Sequence, residues 1–260
     1  MAGRRIIREQ SEGDDSRRTG LAYLEAYITA WSYMRDAKNM IEDSAGIKLK
    51  SPTLKITSTP SATARAQLYN EFLYVYGSEN VKADVVSHEL YHYAQNLYRG
   101  DNYKRESAED SETRFLIKNS ATREALARAS MLWNIVNEAG AYLFGYYFAE
   151  YSQGTGKITV QSLMDRYWQD YHAKVGDHTD IVLDFVFDKS AKMCEFLKNG
   201  AYEVPSVTHS AILVAFIILK ENNFDFMKTF KDLMQDPEVT LERLERIGRH
   251  AAAEMLREFS

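Results

Sequence analysis

From Thr19 onward, Leu21, Leu24, Ile28, Trp31, Met34, Ala37 and Ile41 recur three or four residues apart, the spacing that lines up side chains on one helical face. The pattern predicts a long amphipathic helix capped by Thr19 and ended by Gly46. Residues 1–18 lack such a period, carry Gly13, Asp14, Asp15 and the Arg17-Arg18 pair, and are expected to form a mobile tail. Between Ile47 and Thr59 apolar and polar positions alternate, interrupted by Pro52 and closed by Pro60, which predicts one or two short edge-like strands. Residues 64–76 read as two strands meeting in a hairpin at Asn70. A second helical period (Val86, Leu90, Ala94, Leu97) follows, with Gly100 as its expected stop.

Residues 101–120 are dense in charge and read as a solvated loop or surface helix. From Ala121 a helix builds through Leu126, Met131, Ile135, Ala139 and Leu143 and breaks at Gly154 and Gly156. Further helices are expected over 158–175 and 180–197, the latter partly strand-like at Val182, Phe185 and Val186. Ala211 to Leu219 is apolar throughout and reads as a buried helix stopped by Asn222-Asn223, ahead of amphipathic helices over 224–234 and 240–259. Strand periods thus end before residue 80 and helical periods dominate after 120. This predicts an α+β fold, mainly α, with a small sheet lobe (19–119) followed by a helical lobe (120–260).

Composition narrows the function classes. A chain of 260 residues, 45% hydrophobic and 27% charged, buries a sizeable core. Its net charge of −5 argues against a nucleic-acid surface. The nine-residue run at 211–219 is too short to span a bilayer, so no membrane partner is expected. A lone Cys194 excludes an intramolecular disulfide and a thiolate metal cluster, and the first fifteen residues hold no signal-like apolar stretch. A cytoplasmic location is expected.

Within the second period, His88-Glu89-Leu90-Tyr91-His92 spells His-Glu-x-x-His. On a helix, i and i+4 lie one above the other, so two imidazoles face one metal ion while Glu89 stands about 100° around the axis, where a general base takes a proton from metal-bound water. A catalytic zinc takes three protein ligands and keeps one position open. The extended pattern with glycine at 95 and histidine at 98 is closed, because the chain has Gln95 and Tyr98. Acidic candidates downstream are Asp101, Glu106, Glu109, Asp110, Glu112, Glu124, Glu138 and Glu150. Glu138 stands out as a carboxylate inside an apolar helix, next to small Ala139, Gly140 and Ala141 that permit close approach. The competing reading pairs Glu138 with a lysine or arginine, or turns it to solvent.

With these residues in place the sequence resembles the gluzincin group of zinc metallopeptidases over roughly residues 20 to 150, Asn137-Glu138 resembling the start of that group's second motif, 46 residues beyond His92. The resemblance implies a zincin-like fold with the metal between the lobes, Zn2+ held by His88, His92 and Glu138, and Glu89 as base acting on a protein or peptide substrate. It also implies a transition-state donor from the C-terminal lobe, for which His209 and Tyr202 are the candidates. One position departs: where the best-known members carry an aspartate that orients the first histidine, this chain has Tyr142. The expected substrate track is the edge of the strand Phe72 to Tyr76. His172, His178 and His250 are read as solvated. The rival reading is a binding module that keeps the fold and the metal without catalysis.

Overall fold

The computed structural model describes residues 3–57, 64–69, 71–103, 116, 122–154, 158–159, 161–163, 165, 179–188 and 205–257, with the side chains of 3–20, 69, 100–103 and 205–206 outside that description. The expected tail side chains, Cys194, His172, His178, Tyr202, most of the expected helix over 158–175 and residues 189–197 of the one expected over 180–197 lie outside the described residues.

Helix α1 (Gly3–Ala45) ends at Gly46 as its pattern requires, but it runs through Thr19, which therefore does not cap it. Of the expected face, the C-terminal half (Met34, Ala37, Ile41) is buried and the N-terminal half is not. Ala30, Met34, Ala37, Ile41 and Ala45 are the buried positions, while Leu21, Leu24, Ile28 and Trp31 are exposed. Small alanines win the buried stripe because they allow α1 to lie close against the body of the protein.

Strands β1 (Thr53–Thr57), β2 (Ala66–Tyr69) and β3 (Phe72–Tyr76) form a sheet of order β1-β3-β2, with β1 parallel and β2 antiparallel to β3. The hairpin is as expected. β3, however, lies in the centre and has no free edge, so the substrate track assigned to Phe72–Tyr76 is corrected: among the described residues the edge strands are β1 and β2. Leu54, Ala66, Leu73 and Val75 point inward and are buried, as the period of two demands.

Helix α2 (Ala83–Tyr103) packs against α1, β2 and β3 and continues three residues past Gly100, its expected stop. Helix α3 (Arg123–Ser152) begins where the Thr122 hydroxyl accepts a hydrogen bond from Ala125 N at 3.1 Å. It lies along α2 and along α5 (Pro205–Glu221), whose residues 209–219 are buried without interruption. Close approach of α2 and α3 depends on glycine: a Cβ at Gly145 would sit 2.9 Å from the Asp84 carbonyl oxygen and 3.4 Å from His88 Cβ, and one at Gly140 would sit 2.5 Å from the Tyr91 ring. The small residues around Glu138 thus bring the two helices together beside His88.

Helices α4 (Thr179–Phe187), α6 (Phe226–Leu233), α7 (Pro237–Ile247) and α8 (Arg249–Arg257) complete the helical part. The single helix expected over 240–259 is two, because Gly248 at φ 76° adopts the left-handed backbone that ends α7. One hydrophobic cluster runs from Ala30 through Leu90, Phe144 and Phe216 to Leu256, so sheet and helices share a core. The fold is α+β and mainly helical, a small three-stranded sheet and a helical lobe. Among the described residues no helix is long and apolar enough to cross a membrane.

Candidate metal centre

The period of α2 puts Val86, Leu90 and Ala94 into the core at zero exposure and turns His88 and His92 toward α3. There they meet Glu138. Its two carboxylate oxygens lie 3.2 Å from His88 Nε2 and 3.2 Å from His92 Nε2, and one donor atom from each of the three residues falls within 4.8 Å of the others. Glu138 therefore turns to the two histidines, and among the described residues it pairs with no lysine or arginine. Burial pushes its carboxyl pKa up, but hydrogen bonds from His88 and His92 outweigh this and hold it far below the usual carboxylate range.

The tautomer of His92 follows from its neighbours. Gln95 is fully buried, and its amide nitrogen donates to the carbonyls of Asn137 at 3.0 Å and Leu233 at 3.1 Å. Both partners are pure acceptors, so Gln95 Oε1 is the atom that faces His92 Nδ1 at 2.9 Å, and Nδ1 must carry the hydrogen. Neutral His92 then aims the lone pair of Nε2 at a carboxylate oxygen. Two acceptors 3.2 Å apart need a cation between them, either a proton or a metal ion. For His92 burial pulls the pKa down, yet Glu138 and Glu89 raise it above the ordinary value, which is the protonic answer to the same geometry. The donor set of two imidazole nitrogens and a carboxylate suits zinc among the divalent ions.

Gln95 belongs to a buried i, i+4, i+8 stripe on α2 that the sequence reading missed. Tyr91 donates its hydroxyl to Phe230 O at 2.5 Å, and Arg99 Nε bonds Met234 O at 3.2 Å and Gln235 O at 3.1 Å while NH1 bonds Asn137 Oδ1 at 2.7 Å. This stripe ties the histidine helix to the end of α6 and to the residue before Glu138. Its sequence signal is a glutamine and an arginine four apart on the apolar side of a helix. Gln95→Leu leaves two carbonyls and His92 Nδ1–H unpaired and is expected to weaken the affinity of the triad for a divalent metal about 10–100-fold. Competition against a chromophoric chelator measures this; unchanged affinity would reduce Gln95 to a packing residue.

Glu89 is no part of the triad. Burial raises its pKa, against the pull of His88 and His92. Its Oε2 accepts a hydrogen bond from Leu68 N at 3.1 Å. Pairing of β2 with β3 makes this possible: Tyr76 N donates to Arg65 O at 2.9 Å, so Arg65, Gln67 and Tyr69 turn their backbone groups to β3 and leave those of Ala66 and Leu68 on the open side. The edge strand thus runs beside the base.

Tyr142 stands one turn after Glu138, its ring 4.6 Å from that of His88 at 63°. Its hydroxyl is shared with Thr208 Oγ1 at 2.9 Å, on the first turn of α5, so it does not take the aspartate's place as a hydrogen-bond partner; among the described residues His88 Nδ1 meets none. His209, the residue after Thr208, is buried rather than exposed. His250 is at the surface beside Glu254, as expected. Comparison with known protein families, characterised proteins and solved structures gives no match, so the functional reading rests on the geometry of this centre.

Proposed function

We propose that the chain is a zinc-dependent metallopeptidase of gluzincin type, a hydrolase that cleaves peptide bonds in a protein or peptide substrate. The observation that carries this reading is the Glu138 carboxylate spanning His88 Nε2 and His92 Nε2 while Glu89, next in the chain, stays outside the triad. A zinc ion, which His88, His92 and Glu138 would hold, would supply Lewis acidity and lower the pKa of a water. Glu89, beside the triad but outside it, would take a proton from that water and pass it to the leaving amine. The backbone groups of Ala66 and the carbonyl of Leu68, on the side of β2 turned away from β3, suit an extended peptide laid along that strand. Oxyanion stabilisation falls to the C-terminal part of the chain, with His209 and Tyr202 as the candidates.

A second reading, a zinc-holding binding module, is favoured by one observation: Tyr142 spends its hydroxyl on Thr208 and gives His88 no charged orienting partner. Elemental analysis of the purified protein decides the metal, with about one zinc per chain expected. Glu138→Ala should lose that zinc, and chelation should abolish cleavage of a diverse peptide library. Retention of full zinc affinity by Glu138→Ala would remove the third ligand from the proposal.

A further inference from the structure

At 43 residues α1 is about 64 Å long, more than one lobe of this chain covers. Among residues 21–45, whose side chains are described, its buried stripe (Ala30, Met34, Ala37, Ile41, Ala45) starts at residue 30. A second apolar stripe lies roughly 120° around the same helix, at 100° per residue. It consists of Leu21, Leu24, Ile28 and Trp31, flanked by Tyr27, with exposures of 60%, 55%, 59%, 47% and 45%. Among the described residues nothing covers it. Arg35, 5.4 Å over the Trp31 ring and bonded to Asp36 at 2.8 Å, closes the stripe at its C-terminal end.

Two features identify the occupant. The spacing of the stripe, three, four and three, is the a/d seam with which helices pair with helices of their own kind. Its charge is almost nil: between Thr19 and Met34 the only charged residue is Glu25. An acidic or basic partner finds no complement there. A membrane surface is disfavoured as well, because interfacial helices carry lysine and arginine on the polar face and this segment has neither. In area, five half-exposed side chains offer about 500 Å², toward the top of the about 300–600 Å² that the largest patch on a monomer reaches. Two such stripes face to face bury about 1,000 Å², where specific interfaces begin.

We propose that α1 pairs with α1 of a second copy of this chain along the Leu21-Leu24-Ile28-Trp31 seam, giving a twofold-symmetric dimer whose metal centres stay on the bodies of the two subunits. The proposal is independent of what the metal centre does. Light scattering on the full chain, after size exclusion and over a dilution series, should give twice the 29.9 kDa chain mass, falling twofold in the double variant Leu24→Glu/Ile28→Glu. Because these side chains leave the body, the variant should keep the far-UV spectrum and the zinc content of the wild type. A wild-type chain of single mass at every concentration overturns the proposal, whether or not the variant folds. So does a folded variant that keeps the doubled mass, or a single-mass wild type that sediments with phosphatidylglycerol vesicles.

Discussion

Glu89→Gln is expected to keep the metal and the fold while lowering peptide cleavage by about 10²–10⁴-fold, the share that a positioned general base contributes. The substitution preserves shape and one acceptor oxygen, so the hydrogen bond from Leu68 N on the edge strand survives and β2 stays in place. No ligand is touched, since the triad is His88, His92 and Glu138. What disappears is a carboxylate able to hold a proton in a site where burial raises its pKa while the two histidines pull it down. An amide cannot do this at any pH. Steady-state cleavage, zinc content and thermal unfolding measured on wild type and variant together separate base from ligand. If wild type cleaves nothing in the library and both proteins retain the same partner in pull-down, the binding-module reading replaces the peptidase.

The sequence made the centre legible because its chemistry is local or nearly so. His88 and His92 are one turn apart, and Glu138 declares itself as a carboxylate in an apolar helix next to glycine and alanine. The nine apolar residues of α5 likewise needed no partner to be read as buried. What escaped depends on distant contacts. Gln95 acquires its role from carbonyls 42 and 138 positions away, and no local pattern encodes them. Strand order is equally non-local: β3 reads as an edge until β1, nineteen residues earlier, pairs with its other side. In α1 the periodicity was real but ambiguous, because two apolar stripes share one helix and only tertiary packing decides that the alanine stripe goes inward. The expected period follows the buried stripe from Met34 onward and leaves it before residue 30, where packing ends and Leu21, Leu24 and Ile28 stay exposed. Gly248 carried its break in plain view, overridden by the helical period on either side.

Arg243→Met is expected to destabilise the protein by about 2 kcal/mol at neutral pH, with a deficit that narrows on acidification, although residue 243 is far from the triad in sequence. Arg243 reaches Asp232 Oδ2 at 2.6 Å and Asn222 Oδ1 at 2.7 Å, and also pairs with Glu221. Asn222 is buried and in turn donates to Thr229 at 3.1 Å and to Asp232 at 3.0 Å, so one guanidinium joins the end of α5 to α6 and α7. Methionine keeps the packing of the stem and removes every donor. The loss falls short of the about 3–5 kcal/mol of a fully buried pair, because Asp232 keeps 20% of its side chain in water. For Asp232 burial raises the pKa, but the bonds from Arg243 and Asn222 outweigh it and set it below the ordinary 3.8. A depressed folded-state value contributes stability that is present above the unfolded pKa and lost as pH falls through the folded one. Without Arg243 the upward push of burial gains and the folded pKa rises toward the unfolded one, so this contribution shrinks and the difference between the two proteins is widest at neutral pH and narrows as pH falls below the unfolded pKa. Urea unfolding at neutral pH and at a series of values below about pH 5 reads both effects, and parallel pH profiles for the two proteins would refute the linkage. The consequence reaches the metal centre through α6, whose end accepts the hydrogen bonds of Gln95 and Arg99. Loosening α6 therefore loosens the acceptor that fixes His92, and zinc affinity should fall together with stability in Arg243→Met.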